Sequence, residues 1–215
     1  MEYDEIKISV SVRKEFFAMS ECLYQGHGSL RFCTNQGTVV YLDPFAGEGY
    51  DLPADLILVT HDHHDHNVVD LPARKEDCTV ITSVQALKGG KYNRFTVKEI
   101  EIEAVPAYNS HHNIKECVGY LLRFDGLCIY ASGDTSATEW MEKTAPGIVI
   151  DYAFYPIDGI YNMNAEEASR CAAMVKATHN IPIHMKPGAL FDREFAEKFQ
   201  ASGRLIVEPG ELIKL

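Results

Sequence analysis

Apolar and polar residues alternate at the start of the chain, where Ile6, Ile8, Val10 and Val12 share one face; this predicts a half-buried strand. The runs SLRFCT and TVVYLD flank the turn NQG and read as a β-hairpin. ADLILVT is continuously apolar, the pattern of a strand covered on both faces. Further short strands are predicted at CTVIT, RFTVKEIEIEAVPA, CVGYLLRF, GLCIYASG and DYAFYPI, with a tight Asp-Gly turn between LLRF and LCIY. The period then changes. NAEEASRCAAMVKAT predicts a helix with Asn164 as N-cap, acids in its first turn and an apolar stripe of Ala168, Cys171, Ala172 and Val175. FDREFAEKFQA predicts a second, shorter one, and RLIVE and ELIKL close the chain as strands. Strands first and helices late predict an α/β (α+β) architecture: one domain over residues 1–215, with two sheets face to face and helices outside. The irregular segments PAYNSHHNIKE and PIDGIYNMN are polar and aromatic, as functional loops are.

Composition narrows the picture. The 215 residues suffice for one sizeable core, and no internal repeat, linker or low-complexity stretch interrupts them. The formal net charge of -11 opposes extended contact with polyanions, so a nucleic-acid partner and an anionic membrane surface are disfavoured. No apolar run approaches the ~20 residues that span a bilayer, which predicts no membrane insertion. The six cysteines form no C-x-x-C pair and read as buried thiols of a reducing compartment. With no signal-peptide pattern at the N-terminus, the expected location is the cytoplasm.

Chemistry concentrates at Thr60-His61-Asp62-His63-His64-Asp65-His66, directly after the buried ADLILVT run. Imidazole and carboxylate are the ligands of Zn²⁺, Mn²⁺ and Fe. In extended backbone His61 and His63 point the same way and can share one ion. A helix starting near Asp65 would send Asp65 and His66 toward a second. Asp62 reads as a group that orients a ligand imidazole or handles protons, and His64 as solvated or structural.

The string THDHHDH resembles the His-x-His-x-Asp-His signature of the metallo-β-lactamase superfamily. The resemblance implies a four-layer αββα sandwich with metals at one edge of the sheets, and three later ligands in the order His, Asp, His. Asp134 in IYASGDTS resembles the bridging aspartate, and His184 in IPIHMKP the final histidine. AVPAYNSHHNIKECVGY offers both His111 and His112 for the middle one; Asn109 stands where many relatives carry it, and His112 is preferred. YQGHGSLRF, TVVYLDPF and the PID…M…EEA segment resemble the subgroup of ascorbate-6-phosphate lactonase-like and phospholipase-D-like metallohydrolases. In that subgroup His27 and Asp43 would lie near the metals without binding them.

The implied cofactors are two divalent ions, zinc first. They would share Asp134 and a water activated toward neutral pH. Asp65, Asp134 and Asp62 would be the catalytic carboxylates. Lys186, Tyr155 and Asn162 are expected at the substrate, with Arg193 and Tyr161 as further candidates. No G-x-S-x-G elbow and no glycine-rich phosphate loop competes. The expected activity is hydrolysis of a small, anionic ester, lactone or phosphoester. The alternatives are a nuclease of the same superfamily and a non-catalytic metal-binding protein. A homo-oligomer is compatible with everything in the chain.

Overall fold

The computed structural model describes residues 19–215, so the strand expected over residues 6–12 lies outside the described part. In chain order the elements are β1 (Glu21–Gly26), β2 (Ser29–Cys33), β3 (Val39–Leu42), β4 (Ala54–Leu58), β5 (Arg74–Ile81), α1 (Ser83–Ala86), β6 (Arg94–Val97), β7 (Ile100–Pro106), β8 (Val118–Phe124), β9 (Leu127–Ala131), α2 (Glu139–Lys143), β10 (Tyr152–Pro156), α3 (Ala165–Val175), β11 (His179–Ile183), α4 (Arg193–Lys198) and β12 (Leu212–Lys214). Among the described residues twelve strands make two six-stranded sheets, ordered β12-β1-β2-β3-β4-β5 and β11-β10-β9-β8-β7-β6. Both are mixed in the same way. β3, β4 and β5 run parallel, as do β9, β10 and β11, and the remaining neighbours are antiparallel.

Alternation along the strands sorts the side chains. Cys22, Tyr24, Leu30, Phe32, Val40, Leu42, Leu56 and Leu58 face inward and meet Ile102, Ala104, Val118, Tyr120, Leu122, Ile129 and Phe154 of the other sheet. The opposite face of the second sheet, with Leu121, Tyr130, Ala153 and Tyr155, packs against Met141 of α2, Cys171 and Val175 of α3 and Ala196 of α4. The outer face of the first sheet packs Tyr41 and Ile57 against Tyr50, Leu52 and Val69 of loops. This is the expected sandwich, with its helical layer heaviest over the second sheet. Asn164 caps α3 by accepting from the Glu167 amide at 2.9 Å. All six cysteines are free thiols.

Three local expectations are corrected. RFTVKEIEIEAVPA is two strands, β6 and β7, because Lys98 adopts φ +52° and reverses the chain. RLIVE forms no strand; only Arg204 bridges to Asn180. No helix begins near Asp65. The segment turns, with the His66 amide donating to the His63 carbonyl at 3.0 Å. A turn lets four side chains converge, whereas a helix would spread them around its circumference.

The parallel strands all end at one edge of the sandwich. There, backbone bonds join the two sheets: Val118 N to Thr60 O at 3.0 Å and His184 N to His27 O at 2.8 Å.

Candidate metal centre

Every chemically notable side chain sits just past the C-terminal end of a strand at that edge. His27 follows β1, Asp43 follows β3, and His61 to His66 follow β4. His112 lies in the loop after β7, Asp134 after β9, Asp158 after β10 and His184 after β11. This is the usual place for a site in a parallel sheet, since loops there are free to carry function.

Three ligand groupings result. Nitrogens of His61, His63 and His112 lie within 4.8 Å of one another. Ligand atoms of His27, Asp65, His66 and His184 form a second group, and His61, His66 and Asp134 a third, within the same limit. Asp134 joins them: its Oδ1 is 3.5 Å from His66 Nε2, and its Oδ2 is 3.4 Å from His112 Nε2 and 3.5 Å from His184 Nε2. His111 is exposed outside the cluster, edge-on to Tyr161.

The far nitrogens of these rings are held from behind. Asp43 Oδ2 lies 2.9 Å from His66 Nδ1 and accepts from Thr60 Oγ1 at 2.7 Å, while Oδ1 accepts from the Thr60 amide at 2.7 Å. Thr60 Oγ1 is also 3.0 Å from His61 Nδ1. Asn109 Oδ1 lies 3.0 Å from His112 Nδ1 and accepts from the amides of His111 (2.8 Å) and His112 (3.0 Å). Asp158 Oδ2 is 3.1 Å from His184 Nδ1. The Asn162 amide donates to both Asp134 Oδ2 (2.9 Å) and Asp158 Oδ2 (2.8 Å). With Nδ1 engaged in His61, His66 and His112, the Nε2 atoms of these rings are left to face the centre, whereas His184 Nδ1 lies beside Asp158 without a hydrogen bond.

What remains unsatisfied is informative. Nε2 of His61, His66 and His184 is buried without a hydrogen-bond partner. An orphaned buried polar atom costs about 1–3 kcal/mol, and three aimed at one carboxylate form a donor set that fits a divalent cation. The rings and carboxylates are strongly coupled. Burial and the neighbouring His66 push His61 down to about 2, so it stays neutral. Burial also lowers His112. Burial alone would lower His66, but Asp134 and Asp43 outweigh it and raise it to about 9. Burial opposes the ionisation of Asp134; His184, His66, His61 and His112 overcome it and hold the carboxyl far below the usual range. Asp65 is lowered mainly by its 3.1 Å contact with His27 Nε2.

The backbone is strained at the same place. His27, Asp43 and His184 all have left-handed φ, at +52°, +48° and +47°. Each costs about 1–3 kcal/mol, a cost that clusters at functional sites. Two glycines clear the space: a Cβ on Gly28 would lie 2.9 Å from His66 Cε1, and one on Gly133 2.6 Å from the Val118 carbonyl oxygen.

Other expected residues fall elsewhere. Tyr155, expected to line a pocket, is corrected: it lies within β10, fully buried, with its ring 5.9 Å from Phe199 among the helix-facing residues. Strand alternation turns it away from the centre. Lys186 is exposed and reaches only Asp192, at 3.9 Å, and Arg193 pairs with Glu208. Asp62 is exposed and accepts from Asn67 at 2.5 Å; Asp43, Asn109 and Asp158 hold the imidazoles in its stead. His64 packs edge-on against Phe45. Asn162 is buried against Asp134. Sequence reasoning missed the parts played by Asp158 and Asn109, although each lies in a segment already marked as irregular and polar.

A cavity of about 650 Å³ opens on the His61, His63 and His112 side, walled by α1 and the 111–117 loop.

Fold and site together define a metal-binding α/β sandwich. Residues 21–184 match the beta-lactamase superfamily domain. A UPF0173 metal-dependent hydrolase of Pyrococcus furiosus is 32% identical over 183 residues, covering 75% of this chain and 81% of its own. A structure described as a metal-dependent hydrolase from Parabacteroides distasonis superposes with a TM-score of 0.70 at 28% identity, covering 88% of this chain and 92% of its own. A metallo hydrolase from Ignicoccus hospitalis shares the fold, with a TM-score of 0.72 at 20% identity over 92% of this chain and 99% of its own. The chain therefore belongs to the beta-lactamase superfamily and, within it, to the family of the Pyrococcus furiosus metal-dependent hydrolase.

Proposed function

We propose that the protein hydrolyses a small ester, lactone or phosphoester with two divalent ions, zinc by preference and manganese or iron by the same donor chemistry. His61, His63 and His112 would hold one ion; Asp65, His66 and His184 the other; Asp134 both. The observation that carries the reading is the set of orphaned Nε2 atoms converging on Asp134. Such ions, when bound, supply Lewis acidity, lowering the pKa of water and neutralising charge on an acyl or phosphoryl oxygen. The chain's own part is positional. Asp43 and Asn109 would fix the tautomers of His66 and His112, Asp158 sits against His184, and Asn162 holds Asp134 in place. Asp62, exposed on the cavity wall, would be the group that carries a proton to the departing group.

The test joins metal analysis to turnover. Protein purified without chelator should carry close to two transition-metal ions per chain and hydrolyse members of a small-ester, lactone and phosphodiester panel. Asp134→Ala should lose metal and lower kcat/KM at least a thousandfold, or about 4 kcal/mol. One ion or none under replete conditions sinks the two-metal reading. Cleavage of RNA or DNA with no small-molecule turnover would favour the nuclease alternative, which the charge of -11 opposes.

A further inference from the structure

The cavity beside the centre has two unlike walls. One is α1, a four-residue helix secured at both ends. Thr82 and Gln85 form a reciprocal capping box at its start. At its end the Asn93 amide donates to the carbonyls of Ala86 (3.1 Å), Lys88 (2.8 Å) and Lys91 (3.1 Å). So rigid a mount presents two apolar side chains to the cavity: Val84, 74% exposed, and Leu87, half-buried. A valine this exposed gains nothing in the fold from its methyl groups. Facing it, the 111–117 loop contributes Lys115, the one cation lining this cavity, which has no carboxylate within ion-pair distance among the described residues. The carboxylates of Asp62 and Glu116 line the same space and disfavour a second or third negative charge on the occupant.

We infer that the substrate is an amphiphilic monoanion whose apolar group packs on Val84 and Leu87 while its charged group meets Lys115, with the scissile bond over His61, His63 and His112. The inference rests on the proposed hydrolase reading, and it transfers the anion contact from Lys186, which lies outside the cavity, to Lys115. The cavity's volume of about 650 Å³ falls among clefts that take drug-sized ligands. The open apolar wall is a contact surface for a short alkyl or aryl group.

The experiment is a calorimetric titration of the metal-replete protein with methylphosphonate and hexylphosphonate, which bind without being turned over. Hexylphosphonate should bind about tenfold more tightly, since its added methylenes leave water. Val84→Ser, at an exposed position that leaves the core untouched, should shrink that difference to about threefold or less. Lys115→Gln should weaken both ligands by about fivefold. Equal affinities for the two phosphonates, or variants that leave them unchanged, would overturn the inference. Chain-length discrimination without hydrolysis of any panel substrate would sink only the hydrolase reading. Turnover with no preference for apolar substituents would sink only this one.

Discussion

Asn109 shows how much one side chain can do at this edge. Its Oδ1 receives two backbone amides and the His112 ring, and its Nδ2 donates to the Tyr161 carbonyl at 2.8 Å. It thereby ties the His112 loop to the loop that holds Asn162 and Asp158. Asn109→Ala should lower metal affinity about 10–100-fold, the usual cost of removing a partner behind a metal ligand. Competition with a chromophoric chelator measures this directly, and an unchanged affinity would show that the loop holds His112 unaided. At this scale the sequence was most legible where candidate ligands are adjacent. THDHHDH announces itself because its donors lie within one short segment. The middle histidine was not settled by spacing, because the 109–112 turn aims only the second imidazole inward. Asp158 was hidden for a related reason: its partner, His184, is brought near by the pairing of β10 with β11 and not by sequence distance.

Elements are joined by ionic contacts as well as by packing, and Asp55 on β4 is the clearest case. Fully buried, it accepts from the Val39 amide on β3 (2.8 Å), from Lys75 on β5 (2.6 Å) and from Lys98 in the β6–β7 turn. Burial alone would raise its carboxyl, yet the bonds from Lys75 and Lys98 hold it below its usual value. A carboxyl depressed in the folded state stabilises fully above its unfolded value of about 4, and that stability is lost as pH falls through the folded value. Asp55→Asn should therefore cost about 1–3 kcal/mol near neutral pH, with the gap to wild type narrowing as pH falls below about 4. Urea unfolding at pH 7 and pH 3 checks this; an equal gap at both would refute the ionic account. Hydrophobic period predicted most elements, including α3 with its Asn164 cap. It missed α1 and α2, which are too short for a helical period to show. It merged β6 and β7 because the turn at Lys98 carries no glycine or proline.

At the scale of the whole molecule the two sheets repeat one plan: three parallel strands beside three antiparallel ones, with functional side chains at the same ends. No internal repeat is visible in the sequence, because the two halves share a path of the chain rather than residues. The second half also supplies β12 to complete the first sheet, a pairing made with β1 from nearly the full length of the chain away. The connection between the halves passes through Gly89 and Gly90. Both have left-handed φ, and no atoms lie within 4 Å of where a Cβ would be. His27, His61, His63, Asp65 and His66 lie before that point; His112, Asp134 and His184 lie after it. The centre is thus shared between two polypeptide segments in the manner of a split reporter. A chain severed between Gly89 and Gly90 should reassemble from its two pieces, and zinc should tighten their association at least tenfold over a chelated sample, because only the joined pieces complete the ligand set. Sedimentation of the mixed fragments with and without chelator would register that difference; association indifferent to chelator would mean that the inter-sheet core alone holds the halves together.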